Sequence, residues 1–496
     1  MTLTRSAALP YTHVDDFYIG GHWVSSQSDA RSDVTDPATG EVWGSVPVAT
    51  EVEINAAVES AAQALDDWST LSAAQRAEFM GRMADEIELR AENLALTNSR
   101  ENGSPTSETL GAAKNAAGIL RYFSTLAGFL DGDDVRPFPA GGAESIVDKD
   151  PIGVCALIAP WNFPINLVVI KLAPALLAGC TVVIKPASPT PLSIRFIVDA
   201  AAAAGIPGGV INLITGPGRM GDTLVRHPKV AKVAFTGSTG VGKKIAAACG
   251  ENLKPVTLEL GGKSSAIVMP DVDLDAMSKN LIRTCLRNTG QTCYISTRIL
   301  APASRYDEVV DMVADTIASA KQGDPMESDT VFGPIANKPQ YDTVVGYLDS
   351  AKSEGARFVT GGDKPADLSD ELTNGYFLAP TVLADVTPDM TVAKEEIFGP
   401  VLTILKYDDS DGTYDEAIEL ANNTEFGLGG VVFGSDESEA LKIARRVDSG
   451  SVGINFFGSN HSAPFAGRHD SGLGAEYGIE GLSAYLTYKS IHRRTH

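Results

Sequence analysis

Between Val154 and Leu260, short and mostly apolar runs alternate with stretches of helical character. The runs are Val154–Ala159, Thr181–Ile184, Val210–Ile214, Val230–Phe235 and Val256–Leu260. The stretches between them are 165–178, Leu192–Ala204, Asp222–His227 and Val241–Ala248. A run too short for a helix and mostly apolar suits a strand covered on both faces, with the helical stretches forming the crossovers. The pattern predicts an α/β fold built on a doubly wound parallel sheet. Ligands meet such sheets beyond the carboxyl ends of the strands. Pro160–Pro164, Lys185–Ser188 and Phe235–Gly242 all fall at those ends.

The flanks read differently. Phe17–Val48 is strand-like, with turns at Gly20-Gly21 and Pro37–Gly40, and Glu51 to Thr97 turns helical, with Phe79, Met83 and Ile87 on one face. An Ala-rich helix over 111–120 runs on into Tyr122 and Phe123, Asp131–Asp134 breaks it, and 135–149 is expected to be an extended excursion. A second α/β series follows: Ser264–Val268, a helix over 274–286, Thr297–Pro302, helices over 305–321 and 338–354, and Val401–Tyr407. Ala484–Ile491 reads as a strand with no neighbour in sequence, so it must pair elsewhere.

With 496 residues, two or three domains are expected. A net charge of −23 argues against nucleic acid or an anionic membrane surface as partner, though not against a nucleotide held by local amides. No run of about 18 apolar residues occurs, and Met1–Asp16 does not read as a secretory leader. Five cysteines without a Cys-x-x-Cys pair read as free thiols, with the cytoplasm as default compartment. The seven histidines lack metal-ligand spacing, so no metal is expected.

Candidate chemistry gathers in Arg287–Tyr294, where Cys293 lies in a polar, Gly-bent segment after a helical run. Cys155, Cys180, Cys249 and Cys285 lack such a setting and read as small buried hydrophobes. A thiol is mostly protonated at neutral pH, so Cys293 needs either surroundings that lower its pKa or a base that takes the proton. Glu259 in Leu258–Lys263 and Asn162 between Trp161 and Phe163 supply a carboxylate and an amide donor. Nucleophile, base and oxyanion donor are the parts needed for acyl transfer at a carbonyl. Phe235–Gly242 follows a strand and opens a helix; taken alone, it is either an ordinary connection or a phosphate cradle.

Together with Lys394–Pro400, these motifs resemble the aldehyde dehydrogenase superfamily from about Phe17 to Ile491. The resemblance implies a Rossmann-like dinucleotide-binding domain (1–130 and 150–261), a second α/β catalytic domain (262–461), and a small β oligomerisation element (131–149 and 480–496). It implies oxidation of an aldehyde to a carboxylic acid with NAD or NADP, through a thioester on Cys293, by a homodimer or homotetramer. In that reading Asn162 holds the oxyanion, Glu259 activates water and Lys171 supports proton movement. Cofactor contacts fall to Ala159, Pro160, Trp161, Lys185, Ser188, Gly218, Phe235, Gly237, Ser238, Gly242, Leu260, Gly261, Glu396 and Phe398.

NAD-preferring members often carry a glutamate where this chain has Ser188, so NADP use is plausible here; alternatively, Ser188 caps a helix beginning near Pro191. The aldehyde pocket implied is Phe163, Leu167, Ile170, Thr292, Tyr294, Phe456, Phe457 and Phe465, an apolar channel without an arginine for a substrate carboxylate. An apolar aliphatic or aromatic aldehyde is the substrate expected. His461 could touch it or merely be solvated. The string Pro464–Gly474 departs from the family pattern at Ala466 and His469, and again at Ala475 just beyond it, which bears on loop geometry and subunit contact. A CoA-acylating member and a catalytically silent homologue are the alternatives.

Overall fold

The computed structural model describes residues 9–495. Residues 1–8 of the N-terminal stretch and His496 of the tail lie outside them. An eight-stranded sheet runs in the order His22–Ser25, Asp16–Ile19, Ile211–Leu213, Thr181–Lys185, Val154–Ile158, Val230–Thr236, Val256–Glu259, Gly472–Leu473. Its five inner strands are parallel, and both ends are closed by antiparallel neighbours. From Val154–Ile158 the chain steps outward on one side to Thr181–Lys185 and Ile211–Leu213. It then returns on the other side to Val230–Thr236. The loops after Ile158 and Thr236 therefore diverge, and such a divergence opens a crevice at the carboxyl edge.

Apolar side chains cover both faces of this sheet. One cluster packs Leu157, Val182, Val169 and Leu176 under the helices Ala73–Leu89, Thr106–Ser124 and Pro164–Ala178. The other packs Val183, Phe235 and Leu258 under the helix Glu51–Ser69.

A seven-stranded sheet lies in the order Arg357–Thr360, Thr381–Ala384, Val401–Tyr407, Arg298–Pro302, Ser265–Val268, Gly430–Phe433, Gly453–Ile454. Helices Leu274–Cys285 and Tyr306–Ala318 cover one face, and Lys338–Glu354 covers the other. The strands Thr381–Ala384 and Gly430–Phe433 had no counterpart in the sequence reading, though both are fully buried apolar runs.

The tail strand Leu486–Arg494 finds its partner within the chain. It pairs antiparallel with Ala143–Pro151, which pairs in turn with Asp134–Pro137. Val135, Phe138, Tyr488 and Ile491 stand exposed on this three-stranded arm. Among the described residues no helix is long and apolar enough to cross a membrane.

Candidate active site

Helix Leu274–Cys285 delivers the chain into an unusual turn: Asn288, Thr289 and Gly290 have φ of 53°, 57° and 76° in succession. A β-branched residue in that region carries roughly 1–3 kcal/mol of strain and persists only where its neighbours fix it. Here they do. The Ser104 hydroxyl donates to Asn288 at 2.7 Å, the Gly333 amide to Thr289 Oγ1 at 3.0 Å, and the Ala336 amide to Gln291 Oε1 at 2.9 Å. At Gly290 a Cβ would overlap the Gly399 carbonyl, so this loop and the Phe398–Pro400 turn touch backbone to backbone. The loop leaves Cys293 partly exposed, while the other four cysteines are buried and free.

Asn162 is tied to that loop. Its side-chain amide donates to the Gln291 carbonyl at 2.9 Å, two residues before the thiol. Its own carbonyl accepts from Asn102 and Asn288 side chains at 3.2 and 3.1 Å. Glu259 ends the strand Val256–Glu259, 2% exposed, and neither carboxylate oxygen has a donor among the described residues. Burial and the nearby Glu476 carboxylate hold its proton on well above the ordinary glutamate range, with Lys171 opposing them.

The thiol of Cys293 is also pushed up, first by burial, then by Glu396 and Glu259. Of the two routes to a thiolate considered above, the surroundings of Cys293 do not supply the first, since burial and both carboxylates disfavour the anion.

Lys171 sits in the helix Pro164–Ala178, buried, and donates to Thr236 Oγ1 at 2.6 Å and Glu476 Oε1 at 2.5 Å. Thr236 stands opposite Glu259 on the adjacent strand. Two carboxylates, an ammonium and a hydroxyl therefore share one buried pocket. Glu476 was missed in the sequence. It is held by mutual backbone hydrogen bonds with Phe465 at 2.8 Å, just past the strand Gly472–Leu473 that pairs with Glu259. Its only signal was its place two residues beyond Gly474. The departures in that string are accommodated: His469 adopts φ 52° and its Nε2 meets Asp448 at 2.6 Å.

The crevice between the diverging loops suits a dinucleotide. Helix Thr239–Gly250 opens beyond Ser238 without a side-chain cap, leaving its first amides to a ligand. Its entrance is shaped by absent side chains: a Cβ on Gly237 would strike the Phe235 ring, and one on Gly242 the Leu260 side chain. Lys185 is buried with its ammonium on the Pro186 carbonyl at 3.1 Å and no carboxylate partner among the described residues, and burial lowers its pKa to about 8. A buried ammonium with a single carbonyl acceptor is a group that a ribose hydroxyl or phosphate would satisfy further.

Gly221, in the helix that begins at Gly218, leaves room for the Lys185 stem at 3.6 Å. Ala159 donates its amide to Lys185 O at 3.3 Å, so Pro160 and Trp161 follow beside it. Trp161 meets Phe398 edge to face at 5.4 Å. The Gly262 amide donates to Glu396 at 2.9 Å, which brings that carboxylate against Gly261; burial raises its pKa to about 7.

Ser188 does not cap a helix. The helix there is Ser193–Ala203, and the Leu192 and Ser193 amides donate to buried Glu101 at 2.7 and 3.0 Å. Ser188 instead donates to the Gly216 carbonyl at 3.2 Å.

A cavity of about 640 Å³ is lined by Phe163 and Tyr294, the residues next to Asn162 and Cys293 in the chain, with Leu167 and Phe457 among others. Tyr294 stacks on Phe457 at 4.8 Å and meets Phe465 edge-on at 6.2 Å. Ile170 is buried in the core, Thr292 is buried with its hydroxyl on the Arg287 carbonyl, Phe456 is 63% exposed and Phe465 touches the cavity only through Tyr294; none of the four lines it. His461 is half-buried and stacked on Tyr477 at 5.1 Å, outside the lining.

The cavity also has a polar wall, including Asn115, Glu108, Asn288 and Arg287. An arginine is present after all, but Glu108 engages it with three contacts of 2.7–3.1 Å.

The chain matches the model of the aldehyde dehydrogenase family over residues 23–491. It is 44% identical to a geranial dehydrogenase of Castellaniella defragrans over 96% of this chain and 98% of that one. An aldehyde dehydrogenase C mutant of Pseudomonas syringae, solved with NAD+ and octanal, superposes with a TM-score of 0.91 at 38% identity, covering 97% of this chain and 96% of that one. A Mycobacterium tuberculosis aldehyde dehydrogenase complexed with NAD+ gives 0.92 at 38% identity, covering 96% and 97%. On fold, site and similarity alike, this chain is a member of the aldehyde dehydrogenase family.

Proposed function

We propose that this protein oxidises an apolar aliphatic or aromatic aldehyde to its carboxylic acid with NAD+ or NADP+, by way of a thioester on Cys293. The observation that carries the reading is the tie from the Asn162 amide to the Cys293 loop, 2.9 Å to Gln291 O, beside a buried Glu259. The relatives named for geranial and solved with octanal and NAD+ support the substrate class and the cofactor.

Cys293, once deprotonated, attacks the aldehyde carbon. The oxygen that becomes negative is held by the Asn162 side-chain amide, freed from Gln291, and by the Cys293 backbone N–H. The cofactor, when bound, would supply the acceptor for the hydride that leaves the aldehyde carbon as the thioester forms. Glu259 then takes a proton from the water that cleaves the thioester. Lys171 and Glu476 form the route by which that proton leaves. Lys185 and Ser188 hold the adenosine ribose, Ser238 and the helix beyond it hold the pyrophosphate, and Glu396 holds the nicotinamide ribose. Ser188 brings no negative charge to the ribose, which leaves NADP+ admissible beside NAD+.

Within the chain, residues 1–130 with 150–261 bind the cofactor, 262–461 carry the nucleophile, and the arm sheet joins subunits into a dimer or tetramer. The test follows NADH and NADPH formation over an aldehyde panel with and without CoA. Turnover in water alone is expected. A strict requirement for CoA would replace this reading with acyl transfer to CoA, and no turnover of any aldehyde would leave a silent homologue.

A further inference from the structure

The Arg287 side chain is positioned more elaborately than a channel wall requires. Its Nε hydrogen is shared by both Glu108 oxygens at 3.1 Å, one Nη2 hydrogen goes to Glu108 at 2.7 Å, and one Nη1 hydrogen goes to the Tyr294 hydroxyl at 2.6 Å. The guanidinium also lies over the Phe163 ring at 5.1 Å. It therefore grips the residue after the nucleophile and the residue after the oxyanion donor at once. A guanidinium has five N–H bonds. These contacts leave one on each terminal nitrogen without an acceptor among the described residues, on a side chain 27% exposed at the cavity.

Those two donors face a choice when a substrate enters. An all-carbon tail would strip water from them and return nothing, and an unsatisfied charged donor is costly. A carboxylate would find the charge already compensated by Glu108, whose own oxygens repel it. Lys279 and Arg283, the other cations on the lining, are exposed to solvent, where attraction is screened. A neutral oxygen acceptor satisfies the donors without either penalty.

We propose that Arg287, held by Glu108 and Tyr294, is a specificity-determining residue that selects aldehydes carrying a neutral hydrogen-bond acceptor, such as a hydroxyl or ketone oxygen, away from the aldehyde carbon. The apolar stretch between the two ends lies along Phe163, Leu167 and Phe457. This inference rests on the aldehyde-oxidising reading above.

The experiment measures kcat/KM with saturating cofactor for straight-chain alkanals of four to ten carbons, their ω-hydroxy counterparts and their ω-carboxylate counterparts. Turnover of the plain alkanals tests the function; the ratios test the inference. At one chain length or more, the wild-type protein is expected to favour the ω-hydroxy aldehyde over the alkanal by about tenfold, carried by KM. In the Glu108→Leu/Arg287→Met variant, which leaves no buried charge alone, that ratio falls to near one whatever the absolute rates; Arg287→Lys falls between. A purely structural role would lower both substrates together and keep the ratio. A wild-type ratio near one at every length, a ratio that survives the double variant, or a preference for the ω-carboxylate series would each overturn the proposal.

Discussion

The two sides of Cys293 are built by opposite means. On the side proposed for the cofactor the surface is largely backbone: Gly237, Gly242 and Gly261 lie where a Cβ would collide, and amides of Gly262 and of the helix beyond Ser238 are presented. On the side proposed for the aldehyde it is side chains from separate elements: Phe163, Glu108, Arg287, Tyr294 and Phe457. Backbone surfaces recognise what is common to a ligand class, while side-chain surfaces can be exchanged one at a time. The contrast suits an enzyme that keeps one cofactor chemistry and varies its aldehyde.

Perturbations can be ranked by how far they cut across this division. Cys293→Ala removes the group on which both sides converge, and NAD(P)H formation should fall by about four orders of magnitude or more. Glu259→Gln should preserve a stoichiometric burst of reduced cofactor while slowing steady turnover by about 10²–10⁴-fold, as stopped-flow absorbance would show. An undiminished steady rate would discard the base assignment.

Gly290→Ala strikes the seam itself. It adds a methyl against the Gly399 carbonyl at a φ of 76°, and a loss of about 2–4 kcal/mol is expected in chemical denaturation, with both substrates' KM disturbed.

Glu476→Gln touches only the proton route. Glu259 works as a base when deprotonated, and Glu476 helps keep it protonated. Removing that negative charge lowers the pKa, so the acid limb of the kcat profile should move to lower pH. A limb that stays in place would separate Glu476 from the chemistry. Ser188→Glu, at the far end of the cofactor side, should reduce NADP+ use about tenfold by repelling a 2′-phosphate and leave aldehyde KM alone.

The same division governs what could be read from the chain. The parallel sheet and the loops at its carboxyl edge were legible because each is a contiguous run: Val154–Ile158 followed by Pro160–Phe163, Val230–Thr236 followed by Gly237–Gly242. Cys293, Asn162 and Glu259 each carried a local setting. Glu476 did not, since its meaning comes from Lys171, 305 residues away. Nor did Arg287, whose charge is cancelled by Glu108 across 179 residues. A residue's own neighbours in sequence cannot announce an ion pair at that separation. Ile170 and Phe456 were placed in the pocket by spacing and aromaticity, but the helix turned one into the core and the loop turned the other to solvent.

The contact between Gly290 and the Gly399 carbonyl joins the Cys293 loop to the Phe398–Pro400 turn without any side chain taking part. Mutational surveys that shorten residues to alanine detect only what a side chain contributes. At this position they would instead insert an obstacle and read out damage. The fit between these two loops is thus written in the part of the chain that truncation experiments leave blank, and measuring it calls for lengthening the loop rather than trimming it.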